Sequence, residues 1–191
     1  MSEGKLNTNK VRAKKMMLLF ALLSITMTFA GLTSAYLVSK GRPDWLVDFQ
    51  LPNLFFYSTL IIVLSSFTIQ ISYYYLKINQ SKNKVVTWLT ATFLLGIIFW
   101  FLQFYSFKSL IEMGYFFAGA QSTITTSFIY VLTFLHGLHI LAGLIVLTVL
   151  IYNTVKTKYI TNKLGFELGT YFWHFLDILW VYLFLFFYFF G

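Results

Sequence analysis

Four polar residues interrupt the most aromatic stretch of the chain. Between Gly165 and Tyr188 the sequence reads GFELGTYFWHFLDILWVYLFLFFY, with Glu167, Thr170, His174 and Asp177 at intervals of 3, 4 and 3. At about 100° per residue these intervals put all four on one narrow face of a helix. A second group stands upstream in TTSFIYVLTFLHGLHILAGLIVL, where Thr133, His136, His139 and Gly143 are spaced 3, 3 and 4. They too share about a third of a helix circumference.

Three kinds of chemistry suit such residues. Imidazoles one turn apart can share a small metal ion, and one from each helix can serve as axial haem ligands. A chain of histidine and carboxylate side chains can carry protons or ions, as in pumps and transporters. Alternatively, the polar groups pair with each other and fix how helices dock. The chain has three histidines and lacks the paired Glu-x-x-His arrangement of di-iron bundles. Neither an inverted repeat nor matching helix breaks, the marks of many transporters, can be seen. On the residues alone the structural reading leads, with the metal and proton-path readings still open.

The elements that carry these groups are membrane spans. Of 191 residues 59% are hydrophobic, 21% aromatic and only 10% charged, against roughly 25% charged in soluble domains. Five apolar runs reach the ~20 residues needed to cross ~30 Å of hydrocarbon: about Met16–Val38, Leu54–Leu76, Val85–Phe107, Thr125–Tyr152 and Phe166–Phe190. The expected fold is an all-α integral membrane protein, a single five-helix domain over residues 1–191 with a basic cytoplasmic tail at 1–15. The first run is longer than the 7–15 residues typical of a signal-peptide core, so it is read as an uncleaved span rather than one cut after Thr33-Ser34-Ala35.

The net charge of +8 follows topology and implies no nucleic-acid partner. With the N-terminus inside, eleven of the fourteen basic residues fall in cytoplasmic segments: Lys5, Lys10, Arg12, Lys14, Lys15, Lys77, Lys82, Lys84, Lys156, Lys158 and Lys163. Lys40, Arg42 and Lys108 fall outside, together with Asp44, Asp48 and Glu112. This bias predicts N-in and C-out. Trp45, Tyr73, Tyr74, Tyr75, Trp88 and Tyr152 stand near span ends, as interfacial anchors do. The chain has no cysteine, and hence no disulfide, thiolate metal site or iron–sulfur cluster.

Inside the spans, Ala21, Ser24, Thr28, Gly31 and Ala35 form a small-residue stripe expected to admit a neighbouring helix closely. The hydroxyls of Ser58, Thr59, Ser65, Ser66 and Thr68 are expected to bond carbonyls of their own helix. Gln103 is expected to bond across helices. From the cytoplasmic end His139 lies roughly 20 Å deep and Asp177 roughly 16 Å, at 1.5 Å per residue. Asp177 is therefore expected to pair with His174 on its own helix, or with His139 or His136 from the fourth span.

From Leu54 to Gly191 the chain resembles subunit III of the haem-copper respiratory oxidases, the cytochrome c oxidase family. The last span matches that family's terminal helix at Glu167, Tyr171, Trp173, His174, Phe175, Asp177, Trp180 and Tyr188. The fourth matches at Ser127, Phe128, Thr133, His136, Gly137, His139 and Gly143. Weaker matches are STLIIVLSSFT in the second span, and Leu95, Gly96, Gln103 and Tyr105 in the third. Five spans resemble the shorter bacterial form, which lacks two helices of the seven-span version and with them part of the wall of its lipid-filled cleft. Ile25 follows Ser24 where the family usually has a buried glutamate, and Ser106 stands where it often has another.

The resemblance implies an accessory subunit of an aerobic terminal oxidase in the bacterial cytoplasmic membrane. It implies no catalytic, cofactor or metal residue in this chain, haem and copper in partner subunits I and II, and membrane lipid, including bound phospholipid, as a neighbour. Subunit III of that family stabilises subunit I while oxygen is reduced and protons are pumped. Quinol oxidase and nitric oxide reductase accessory subunits, and a proton or solute transporter, are the alternatives.

Overall fold

A computed structural model describes residues 2–43, 45–46, 51–78, 81–119, 122–156, 159 and 163–191, with side chains from Thr8 onward. Asp44, Asp48, Lys158 and the side chain of Lys5 lie outside the described residues. Five helices carry the chain: α1 (Ser2–Val38, followed by a 3-10 turn, Ser39–Gly41), α2 (Asn53–Lys77), α3 (Lys82–Glu112), α4 (Ile124–Val155) and α5 (Leu164–Phe190). Each is long and apolar enough to span a membrane, and no strand occurs among the described residues. α1 begins inside the basic segment, so the helix extends well beyond the apolar run on that side.

Helices α2, α3, α4 and α5 form a ring in which each touches its chain neighbour and α5 closes back onto α2. The buried positions explain this. On α2 they are Phe55, Ser58, Ile62, Ser65, Ile69, Ser72 and Leu76, and on α3 Leu89, Thr92, Gly96, Phe99, Gln103, Ser106 and Leu110. Alternating steps of 3 and 4 are the heptad repeat of left-handed helix packing. Because every second α2 position is a serine, α2 and α3 lie in the closest apposition of any pair. The outward faces carry large apolar groups such as Phe67, Phe101, Ile145 and Ile178, the reverse of a soluble bundle.

Basic side chains at one end cap helix C-termini, where free carbonyls and the helix dipole favour a cation. Lys82 donates to the Val155 carbonyl of α4, and Lys163 Nζ lies 3.3 Å from the Lys77 carbonyl of α2. At the opposite end α3 stops at Gly114, whose φ of +84° suits glycine. Tyr115 N donates to Leu110 O at 2.9 Å and Gly114 N to Ile111 O at 3.0 Å, a Schellman ending. Thr123 and Thr126 then form the capping box that starts α4.

α1 stands outside the ring against α5 and α4. Three polar contacts fasten it to α5: Lys15 Nζ to Glu167 Oε1 at 2.8 Å, Thr33 Oγ1 to Tyr182 OH at 2.9 Å, and Tyr36 OH to Phe190 O at 3.2 Å. Its buried face is made of large groups, Phe29 and Tyr36 with Thr33. The small-residue stripe is therefore not the packing face: Ala21, Ser24, Thr28, Gly31 and Ala35 are all exposed, and a Cβ on Gly31 would meet nothing within 4 Å. The aromatic side of α1 buries more area against α5 than small residues would, and it decides the orientation.

Candidate functional site

His174 of α5 faces α2 rather than α4. His174 Nδ1 is 2.6 Å from Ser66 Oγ, and its Nε2 is 3.1 Å from Gln70 Oε1. With Nε2–H donating to the amide oxygen, Nδ1 accepts the Ser66 hydroxyl proton, which makes the ring the neutral tautomer. Trp173 Nε1 donates to Ser65 Oγ and Trp180 Nε1 to Thr59 Oγ1, each at 3.0 Å. Ser66 turns to His174 instead of its own helix, but Ser58, Thr59, Ser65 and Thr68 do bond carbonyls of their own helix, as in Thr59 to Phe55 O at 2.7 Å and Ser65 to Ile62 O at 2.7 Å. In doing so they keep lone pairs free to accept the two indoles. This second role is what a reading of α2 by itself misses; the signal for it was the near-equal spacing, six residues from Thr59 to Ser65 and seven from Trp173 to Trp180, on helices that run antiparallel. Gln103 does bond across helices, its Nε2 donating to Ser58 Oγ at 2.9 Å.

Trp173 sits where four helices meet. Gly96 of α3 and Gly143 of α4 leave room for it, since a Cβ at either would lie 2.8 Å from the nearest side-chain atom, Trp173 Cη2 or Leu176 Cδ1 respectively. Trp180, one heptad on, stacks on Phe55 at 5.9 Å, meets Phe99 edge-on at 5.0 Å and His136 at 5.1 Å.

The two polar groups seen in the sequence do not merge into one seam. Glu167 is taken by Lys15 of α1, and Thr170 Oγ1 donates to the Phe166 carbonyl of its own helix at 3.0 Å. On α4, His139 Nδ1 lies 2.8 Å from the Leu135 carbonyl, and its ring meets Phe29 edge-on at 5.7 Å. His136 is buried among Phe29, Phe99 and Trp180, with neither ring nitrogen hydrogen-bonded among the described residues. Thr133 is buried with its hydroxyl equally unpartnered among them.

Asp177 corrects the expectation of a carboxylate–imidazole pair. Both carboxyl oxygens are buried with no partner at full hydrogen-bond geometry among the described residues, and the hydroxyl beside the carboxyl, Ser66, is 2.6 Å from His174 Nδ1. α4 and α5 are neighbours, but the face α5 turns to α4 carries Trp173, Leu176 and Trp180. Depth brought Asp177 and His139 level, whereas helix rotation separates them. Among the described residues no three His, Asp or Glu side chains come together as a metal site.

The match to known proteins runs almost end to end. The model for "Cytochrome c oxidase subunit III" matches residues 4–191. This chain belongs to the cytochrome c oxidase subunit III family. The match includes the first span, beyond the Leu54–Gly191 stretch that carries the motifs. The chain is an integral membrane protein. It is 36% identical over 194 residues to the cytochrome bo(3) ubiquinol oxidase subunit 3 of Buchnera aphidicola, covering 98% of this chain and 96% of that one. To the cytochrome c oxidase subunit 3 of Bacillus sp. strain PS3 it is 32% identical over 164 residues, 83% of this chain and 77% of that one. To the ubiquinol oxidase subunit 3 of Pseudomonas putida it is 34% identical over 166 residues, 84% and 77% of the two chains.

The two positions without the expected carboxylate are both packed. Ile25 is half-buried against the core, and Ser106 is fully buried with its hydroxyl on the Leu102 carbonyl at 2.9 Å. On α1, Lys15 meets the carboxylate of Glu167.

Proposed function

We propose that this chain is the accessory subunit III of an aerobic terminal oxidase, docked on the catalytic subunit I of a membrane complex that also contains subunit II. The family match over residues 4–191 carries this reading. The haems and copper belong to subunits I and II, and this chain contributes no redox centre. In support, both His174 nitrogens are engaged by α2, His139 is tied to its own backbone, and the His136 ring is enclosed by three aromatic rings. A ligand must present a free lone pair, and neither the His174 nor the His136 ring does so toward an open space. Membrane lipid, bound phospholipid included, covers the outward apolar faces.

The basic end of the bundle faces the cytoplasm of a bacterial cell, with the C-terminus outside. Lys15, Lys82 and Lys163 all work at that end, capping helices or pairing with Glu167, in keeping with the positive-inside rule. Thiol labelling of cysteines placed at Lys82 and Lys156 should put both on the side of the N-terminus, and finding either outside would reverse the orientation.

The complex reduces oxygen to water and translocates protons, fed by cytochrome c. A second reading, feeding by quinol, is favoured by the Buchnera ubiquinol oxidase subunit, whose match spans 98% of this chain. Turnover of the purified complex with reduced cytochrome c or with quinol separates the two. The test of the proposal itself is isolation of the tagged chain in mild detergent. Mass spectrometry should find a larger haem-containing polypeptide with it, and the chain purified apart should have no Soret band. Migration alone would overturn the assignment.

A further inference from the structure

The outward groove between α2 and α5 has a mostly apolar surface, but polar side chains lie along its floor and rim at a depth where a lipid-facing surface should not carry them. Ser66, Gln70, His174 and Asp177 line it, with Phe67 and Ile178 as apolar walls, and its volume is about 430 Å³. Gln70 is exposed and His174 half-buried, while Asp177 beneath them is 3% exposed, with no partner at full hydrogen-bond geometry among the described residues. Along their helices Gln70 lies roughly 10 Å from Lys77 and His174 roughly 15 Å from Leu164, at 1.5 Å per residue. Both are therefore within the hydrocarbon layer, where ionisable and amide side chains face protein or water.

We infer that this groove is the seat of a transmembrane helix from another subunit of the oxidase, and that this helix brings a hydrogen-bond donor to the Asp177 side of the groove. The inference rests on the proposed function for the existence of a partner. Acyl chains fill apolar grooves but have no donor for a carboxyl group and no partner for the outward edge of Gln70. A helix with a hydroxyl or amide side chain has both a donor and an acceptor, and polar groups across membrane helices act as such links. On the opposite side, Leu94 on α3 and Ile145 on α4 stand among other exposed apolar side chains.

A photoreactive benzophenone amino acid at Phe67 or Ile178, both exposed, tests this in the intact complex, with Leu94 and Ile145 as comparison sites. Capture of one other oxidase polypeptide at 67 and 178, at least tenfold above 94 and 145, is expected. Ile178→Trp, which fills the groove from an exposed position, should lower co-purification about tenfold at unchanged membrane level, and Gln70→Leu should lower it by less. Adducts with lipid alone, capture of a second copy of this chain, or equal capture at all four sites would overturn the inference. If the unsubstituted chain brings down no haem-containing polypeptide, the proposed function itself fails. If it does, and capture comes only from 94 or 145, the function stands and the face is wrong.

Discussion

The indole of Trp173 occupies the space a side chain on Gly96 would need: a Cβ there would lie 2.8 Å from Cη2 and 3.2 Å from Cζ2. The ring is 1% exposed and its Nε1 is held by Ser65, so it has nowhere to swing. Gly96→Val should therefore destabilise the bundle by overpacking, at about 1–3 kcal/mol. A lower detergent unfolding midpoint checks this. Gly31→Ala, on an open surface, should leave the midpoint unchanged or slightly raised, as alanine favours helix.

His174 and Ser66 should be energetically coupled. Their 2.6 Å contact crosses from α5 to α2, and such pairs in membrane proteins are worth about 0.6 kcal/mol on average. In SDS-titration unfolding, Ser66→Ala and His174→Ala together should cost less than the two single effects added.

Asp177 and His139 should behave oppositely. They share no partner, His139 being held by Leu135 and Phe29 and Asp177 lying beside Ser66. Effects at such independent sites add within about 0.5 kcal/mol. A double-mutant cycle with Asp177→Ala and His139→Ala is expected to close. A larger interaction energy would restore the carboxylate–imidazole pair.

Trp180→Phe keeps a ring against Phe55 and Phe99 but deletes the bond to Thr59. The expected loss is about 1 kcal/mol, the usual net worth of one hydrogen bond. Trp180→Ala removes the ring as well and should cost about 3–5 kcal/mol. Comparison of the two unfolding curves separates bond from packing.

Lys15 and Glu167 pair at a solvated end, with side chains 47% and 22% exposed. Charge reversal at either should loosen α1 from α5, detected as faster proteolysis of the N-terminal region, and the swap Lys15→Glu with Glu167→Lys should restore protection. Salt should shrink every one of these differences, because exposed ion pairs are screened.

Span number and approximate span limits were legible in the sequence, because the membrane demands long apolar runs, and so was the need of α5 for protein cover, because buried polar residues are rare there. The need of Gln103 for a partner on another helix was legible for the same reason. What only the tertiary structure decided is rotation. Periodicity groups Glu167, Thr170, His174 and Asp177 on one face, but it does not say that α2 covers His174, that α1 takes Glu167, or that the α1 stripe from Ala21 to Ala35 turns outward. In a membrane helix both lipid-facing and buried sides are apolar, so hydropathy sets no direction. The choice falls to shape and hydrogen bonds between helices: a tryptophan that needs two glycines, and a row of hydroxyls on α2 placed to receive it.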